Sequence, residues 1–390
     1  MDNKKNDNKI KYNRIVIKVG SSTLTHEGGK LNFTRIDHLL RQITDIKNQN
    51  REILLVTSGA IGAGMGELDL KRKPELIKEQ QAVAAVGQGL LIGVYNKFLR
   101  EYGEKGAQVL LTASDMENRQ RYLNAFNTLI TLLEYGVIPI INENDTVATE
   151  EIEFGDNDTL SARVAGLVEA DLLINLTDIE GLYNKNPEKE QKDLKIIRKV
   201  EKIDSGLEKV AGGKGGKLGT GGMYTKIKAA RMTTESGITM IIGPGYEKNI
   251  ILKLVKMLEN EEGYYKGTTF LPVKDSLSKR KQWLCFNLSV KGRVKIDKGA
   301  ETALIQKGKS LLPGGITVVE GNFSRGDLIS IINREENEIG KGIINYSKKA
   351  VEKIKGHHSR EISEILGFIN QEEVVHRDNM VIKGGKRDEY

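Results

Sequence analysis

One cysteine, Cys285, stands in a chain of 390 residues, so no internal disulfide can form. Such a chain must be held by its core and hydrogen bonds, and a reducing cytoplasm is its expected home. No stretch approaches the ~20 uninterrupted apolar residues of a membrane span, and the polar start MDNKKNDNKIKYN has no apolar leader core. A soluble protein with no membrane partner is expected. The five histidines and single cysteine form no zinc-ligand cluster, and no nucleophile and base pair up in any arguable triad. Generic nucleotide loops are also missing. The nearest approach to a Walker A loop, GKS at 308 to 310, has Ala303 where the earlier glycine belongs; Gly219 and Gly221 are followed by Tyr224 where G-x-G-x-x-G needs its third glycine.

What is there points to an α/β protein. The length suits two or three domains, and 42 glycines against six prolines fit a fold with many strand-to-helix turns. The net charge of +7 is unevenly placed, residues 278 to 390 holding 21 Lys/Arg against 15 Asp/Glu. Such a bias favours a polyanion such as RNA, though it also does no more than keep a surface soluble.

The segment RIVIKVG, 14 to 20, reads as a buried strand that stops at glycine, and FTRIDHLLRQITDIKNQ then has helical spacing. EILLVTSGAIGAG at 52 to 64 repeats the arrangement. Further apolar runs follow at 107 to 112, 136 to 142, 171 to 177 and 237 to 243, separated by helix-length segments. Alternation of this kind predicts a mainly parallel sheet between two helical layers, with ligands beyond the carboxyl ends of its strands. From about residue 276 short strand-like pieces and tight turns predict a small β-rich domain.

Four constellations carry chemistry. Lys18 lies inside an apolar strand, where a cation is costly without a partner, and Gly20, Ser21 and Ser22 after it can offer backbone N–H groups to an anion. The second strand ends in the small residues TSGAIGAG, which include Ser58. From Asn142 to Asp158 there are seven carboxylates and no Lys or Arg, a field suited to an ammonium group or Mg²⁺. An EF-hand fails there, because Ser161 and Leu167 occupy the places of its Gly and Glu. Asp156 or Asp158 can equally cap a helix beginning near Thr159. The glycine-rich GGKGGKLGTGGMYTK at 212 to 226 leads into a helix pattern from Met223 to Glu235, with Lys226 one turn in, as a phosphate site requires. Two lysines, glycine loops and an acidic pocket together suit phosphoryl transfer by positioning and charge neutralisation.

These residues resemble the glutamate 5-kinase family, within the amino-acid kinase superfamily. The likeness runs through VIKVGSSTLT, LLVTSGAIGAG, PIINENDTV, FGDNDTLSARVA, LTDIEGLYNKNP and GTGGMYTK, then SLLPGGITVVEGNFSRGDLISI and GHHSREISEILG. It implies a three-layer αβα sandwich over residues 14 to 275 and a PUA-like pseudo-barrel over 276 to 382, between a polar tail (1 to 13) and a frayed one (383 to 390). It also implies ATP and Mg²⁺, with L-glutamate accepting phosphate on its side-chain carboxylate. That group is ionised at neutral pH, with a pKa of about 4.3, so no general base is required.

By the matching motifs, Lys18 and Lys226 stabilise the phosphoryl group in flight and Asp158 holds them. Ser58, Asn142, Asp145 and Asn157 belong to the glutamate site. Lys18, Thr177, Asp178 and the loop of Thr220, Gly221, Gly222, Met223, Tyr224, Thr225 and Lys226 contact the nucleotide. No side chain is assigned to a metal. The resemblance further implies feedback inhibition by proline, a homo-oligomer, a functional link to glutamyl-phosphate reductase, and no RNA binding by the PUA-like domain. The rival readings are an RNA-binding protein and a sister kinase acting on aspartate, acetylglutamate or a nucleotide.

Overall fold

The structure is a computed structural model that describes residues 12–26, 29–148, 157–185, 194–204, 207, 222–260, 266–273, 288–368 and 371–382. The chain divides into two compact units, 1–276 and 277–390. The sequence-based boundary at 275/276, and the tails apart from Tyr12 and Asn13, lie outside the described residues.

The first unit is built on strands β1 (Arg14–Val19), β2 (Glu52–Thr57), β3 (Gly106–Leu111), β4 (Ile138–Glu143), β5 (Leu172–Thr177), β6 (Lys199–Val200), β7 (Thr239–Pro244) and β8 (Thr268–Phe270). They lie in the order β3-β4-β2-β1-β5-β7-β8-β6. Every pair is parallel except β7 with β8. The six long strands coincide with the apolar runs; five are buried almost throughout, as strands covered on both faces are, while the edge strand β3 is mostly half-buried. The short β6 and β8 carry too few residues to show a pattern of their own.

Side chains alternate across the sheet. Ile15, Ile17, Val19, Ile53, Leu55, Ile138, Ile140, Leu172 and Ile174 form one core with helices α2 (Phe33–Lys47), α4 (Ile77–Glu101) and the helix Ile250–Asn260. The opposite face, which carries Lys18, meets α7 (Asn157–Leu167), and α7 packs on α8 (Met223–Glu235). In α2 the buried Ile36, Leu39, Leu40, Ile43 and Ile46 follow helical spacing, and the side chain of Asn32 caps the start by accepting from the Arg35 amide. Each such aliphatic side chain contributes about 1.5–3 kcal/mol on burial.

Helix α4 has the length and composition of a membrane span, but so do core helices of ordinary domains. Here Val83, Ala84, Gly87, Leu91, Tyr95 and Leu99 are its buried stripe. It crosses α3 (Ala60–Glu67) with the two backbones in contact: a Cβ on Gly87 would lie 1.8 Å from the Ala60 carbonyl oxygen, and one on Gly64 1.9 Å from that of Val83. The crossing therefore requires glycine on both helices.

The second unit has a five-stranded sheet in the order β10-β9-β11-β12-β13, formed by β9 (Val290–Ile296), β10 (Ile316–Gly321), β11 (Leu328–Ile332), β12 (Glu338–Ile343) and β13 (Met380–Ile382). Only β9 and β11 run parallel among its described pairs. Val294, Ile296, Ile329, Ile331 and Tyr346 form its core with Leu304 and Val351 from two short helices.

Gly87→Ala is expected to lower stability by about 1–3 kcal/mol or more through overpacking. Gly93→Ala, on the same helix with nothing within 4 Å of an added Cβ, is expected to gain up to about 1 kcal/mol from helix propensity. Urea unfolding of the two variants checks the contrast.

Candidate functional site

A cleft of about 980 Å³ opens at the carboxyl ends of β1, β2, β4 and β5, lined by Lys18, Gly20, Ser21, Ser22, Ser58, Asn142, Asp145, Asn157, Asp158, Thr177, Asp178 and Lys226, among others. The strand order explains the place. Chain connections leave β1 towards β2 on one side and β5 lies on the other, so the loops part there and leave a crevice.

At its floor one carboxylate joins three elements. Asp158, in the first turn of α7 and 2% exposed, places Oδ1 2.6 Å from the Lys18 ammonium and accepts from Asn175 Nδ2 at 2.9 Å. Its Oδ2 accepts from Lys226 Nζ at 3.0 Å and Thr225 Oγ1 at 2.8 Å. Lys18 and Asn175 are Cα partners on β1 and β5, which puts both side chains on the α7 face. Burial alone would raise the Asp158 pKa, but Lys18 and then Lys226, with hydrogen bonds from Lys18 and Asn175, outweigh it and hold the group well below the usual carboxylate range. Lys18 and Lys226 share one buried anion at the floor of the cleft. Asp158 is thus no helix cap; Asp156, the other capping candidate, lies outside the described residues.

On the other face of the sheet lies a cluster of amides. Asn157 Nδ2 reaches the Thr57 carbonyl at 3.1 Å, Ser58 Oγ at 2.8 Å and Asn142 Oδ1 at 3.2 Å. The Thr57 hydroxyl lies 2.7 Å from the phenol of Tyr95, which is fully buried, and burial pushes that phenol's pKa up. Asn142 Oδ1 also accepts from the Glu143 amide at 2.9 Å. Among the described residues Asn157, which lines the cleft, has its Oδ1 buried without a hydrogen-bond partner, a group that calls for an explanation.

The structure brings together Lys18, Lys226, Asp158, Ser58, Asn142, Asp145, Asn157, Thr177 and Asp178 around this cleft. The Thr177 hydroxyl donates to Asp178 Oδ1 at 2.9 Å. Gly222 precedes α8 as its N-cap without a side-chain cap bond. Met223 and Tyr224 are half-buried and do not line the cleft, while Thr225 serves Asp158. Thr220 and Gly221 lie outside the described residues. Sequence reasoning missed Asn175, Gln88 and Tyr95. Asn175 carried the same signal as Lys18, a polar residue inside an apolar strand; Gln88 and Tyr95 are seven apart on one helix, which reads as ordinary helical polarity.

Comparison with known proteins matches residues 13–244 to the amino acid kinase family and 292–366 to the PUA domain. The chain is 54% identical over 369 residues to the glutamate 5-kinase of Thermoanaerobacter sp. (strain X514), covering 95% of this chain and 97% of that protein. It is 49% identical over 371 residues to that of Moorella thermoacetica, covering 95% and 96%. The chain belongs to the glutamate 5-kinase family. That of Caldanaerobacter subterraneus subsp. tengcongensis aligns at 53% over 369 residues, again 95% of this chain and 97% of the other. Among the described residues no group of three or more His, Cys, Asp or Glu gathers as a metal cage. The cleft's oxygen donors, Asp145 and Asp178 among them, are spread along its lining, which fits Mg²⁺ that arrives on nucleotide phosphates and takes few protein ligands.

Asp158→Asn is expected to cost about 3–5 kcal/mol at neutral pH, because it strands two ammonium groups. Since the folded pKa is depressed, the wild-type advantage is present above the unfolded value of about 3.9, and shrinks as pH falls below it. Urea unfolding of both proteins from pH 8 to pH 3 checks the size and the sign.

Proposed function

We infer that this chain transfers the γ-phosphoryl group of MgATP to the side-chain carboxylate of L-glutamate, giving L-glutamyl 5-phosphate and ADP, the first step of proline synthesis. The observation that carries the reading is the pairing of Lys18 and Lys226 on one Asp158 carboxylate, beside an amide and acid cluster, in a single cleft.

The residues divide the work. The obstacle is repulsion between two anions, and bound MgATP supplies both the phosphoryl group and part of the neutralising charge. Lys18 and Lys226, fixed by Asp158, supply the rest, and their ammonium groups need no reorganisation as charge builds on the transferring oxygens. Because the acceptor carboxylate is already ionised, no side chain has to remove a proton.

Asn157 Oδ1, buried and unpartnered among the described residues, suits an N–H of the substrate's ammonium, and Asp145 on the cleft wall suits its charge. Ser58 and Asn142 set the orientation of Asn157. Thr177, Asp178 and the 220–226 loop serve the nucleotide. Residues 14–275 act as the kinase domain, and residues 276–382 as a PUA-like domain that supports it without RNA as ligand. Inhibition by proline at or overlapping the glutamate pocket, a homo-oligomer through the kinase domain, a link to glutamyl-phosphate reductase and a cytoplasmic location are supported by family likeness.

Lys18→Ala and Lys226→Ala are each expected to lower kcat by roughly 10²–10³, with retained secondary structure. Near wild-type turnover in both would sink these roles. Asp145→Ala is expected to raise KM for glutamate far more than KM for ATP. Equal rises in initial-rate assays would make Asp145 a support of the loop.

A further inference from the structure

Helix α4 contributes no side chain to the cleft lining, yet three of its polar residues, seven apart, reach the cleft's supports. Gln81 Nε2 donates to the Ala148 carbonyl at 3.2 Å, Gln88 Oε1 accepts from Asn142 Nδ2 at 2.7 Å, and Tyr95 bonds to the Thr57 hydroxyl. Two helical turns separate each from the next, so all three lie on nearly one face.

The direction of each amide in this cluster is forced by a backbone group. The Thr57 carbonyl can only accept, so Asn157 presents Nδ2 to it and leaves Oδ1 elsewhere. The Glu143 amide can only donate, so Asn142 presents Oδ1 to it and Nδ2 to Gln88. Asn142 Oδ1 then also takes the Asn157 amide. Gln88 therefore stands at the end of a chain that runs through Asn142 to Asn157.

On the reading that this cleft binds glutamate, we propose that Gln88 is a positioning residue of the substrate pocket: its side-chain oxygen fixes the Asn142 carboxamide, which in turn holds the Asn157 side chain in the cleft lining. Without that acceptor, the buried Asn142 Nδ2 loses its partner and the carboxamide turns to find another. Asn157 then loses one of its three acceptors. No bond of the phosphoryl clamp is removed, because Lys18, Asp158 and Asn175 are grouped on the α7 face, whereas Asn142 and Thr57 meet α4. The effect falls on glutamate and spares ATP.

The experiment compares wild type, Gln88→Leu and Gln88→Glu by initial rates with glutamate and ATP varied separately, and by thermal unfolding. Gln88→Leu is expected to raise KM for glutamate about tenfold or more, the factor that ~1.4 kcal/mol of lost hydrogen bonding gives. KM for ATP is expected to hold, and the Tm to fall by no more than several degrees, the cost of one unpaired buried donor. Gln88→Glu keeps an acceptor oxygen and is expected to recover most of the loss. An unchanged glutamate KM in Gln88→Leu overturns the proposal, as do equal rises in both KM values, a Gln88→Glu variant as impaired as Gln88→Leu, or unfolding of both variants, which would make Gln88 a packing residue. The wild-type arm separates the two inferences: turnover of glutamate by wild type with no effect in Gln88→Leu removes this proposal alone, and no glutamate turnover by folded wild type removes both.

Discussion

A buried carboxylate cannot remain charged without compensation, and Asp158 has it from two directions. Lys18 reaches it from the central strand and Lys226 from the first turn of α8. Remove the carboxylate and two ammonium groups are left in a site from which water is largely excluded, a far worse state than either an intact triad or an apolar one. The constraint fixes where α7 and α8 begin relative to β1, and hence the width of the phosphoryl site. Asn175, the register partner of Lys18 on β5, closes the arrangement by donating to the same carboxylate.

The sheet separates two tasks that meet at its edge. On the α7 face the side chains of Lys18 and Asn175 gather charge; on the α4 face Thr57 and Asn142 gather amides and hydroxyls. The start of α7 joins them. Asn157 turns towards Ser58, Thr57 and Asn142, while its neighbour Asp158 turns towards the lysines. Two adjacent residues at one helix start therefore tie the acceptor pocket to the phosphoryl clamp, and a rigid backbone sets the distance between them. The glycine crossing of α3 with α4 brings the supporting helix close enough for Gln88 and Tyr95 to reach their partners.

Much of this was legible from the residues. The six long strands announce themselves because buried parallel strands are apolar throughout, and α8 is foreshadowed by its periodicity from Met223 to Glu235. Lys18 was conspicuous because a cation in such a run demands a partner. That the partner is Asp158 was not written in spacing, since the two lie far apart in sequence and meet only when α7 folds over β1; family likeness supplied that pairing. The edge strands β6 and β8 escaped because a two- or three-residue strand has no period. Gln88 escaped because a glutamine on a helix is ordinary, and its task appears only when the amide directions are traced from the backbone outward.

The central claim is that the Asp158-held lysines act on the phosphoryl group in flight rather than on bound nucleotide alone. Titration calorimetry of MgADP with and without tetrafluoroaluminate and L-glutamate, on wild type, Lys18→Met and Lys226→Met, tests it most directly. The account predicts that each variant loses at least about 100-fold in affinity for the complete transition-state mimic, and far less for MgADP alone. Equal losses for the mimic and for MgADP would contradict it, and would reduce the two lysines to ordinary nucleotide-binding groups.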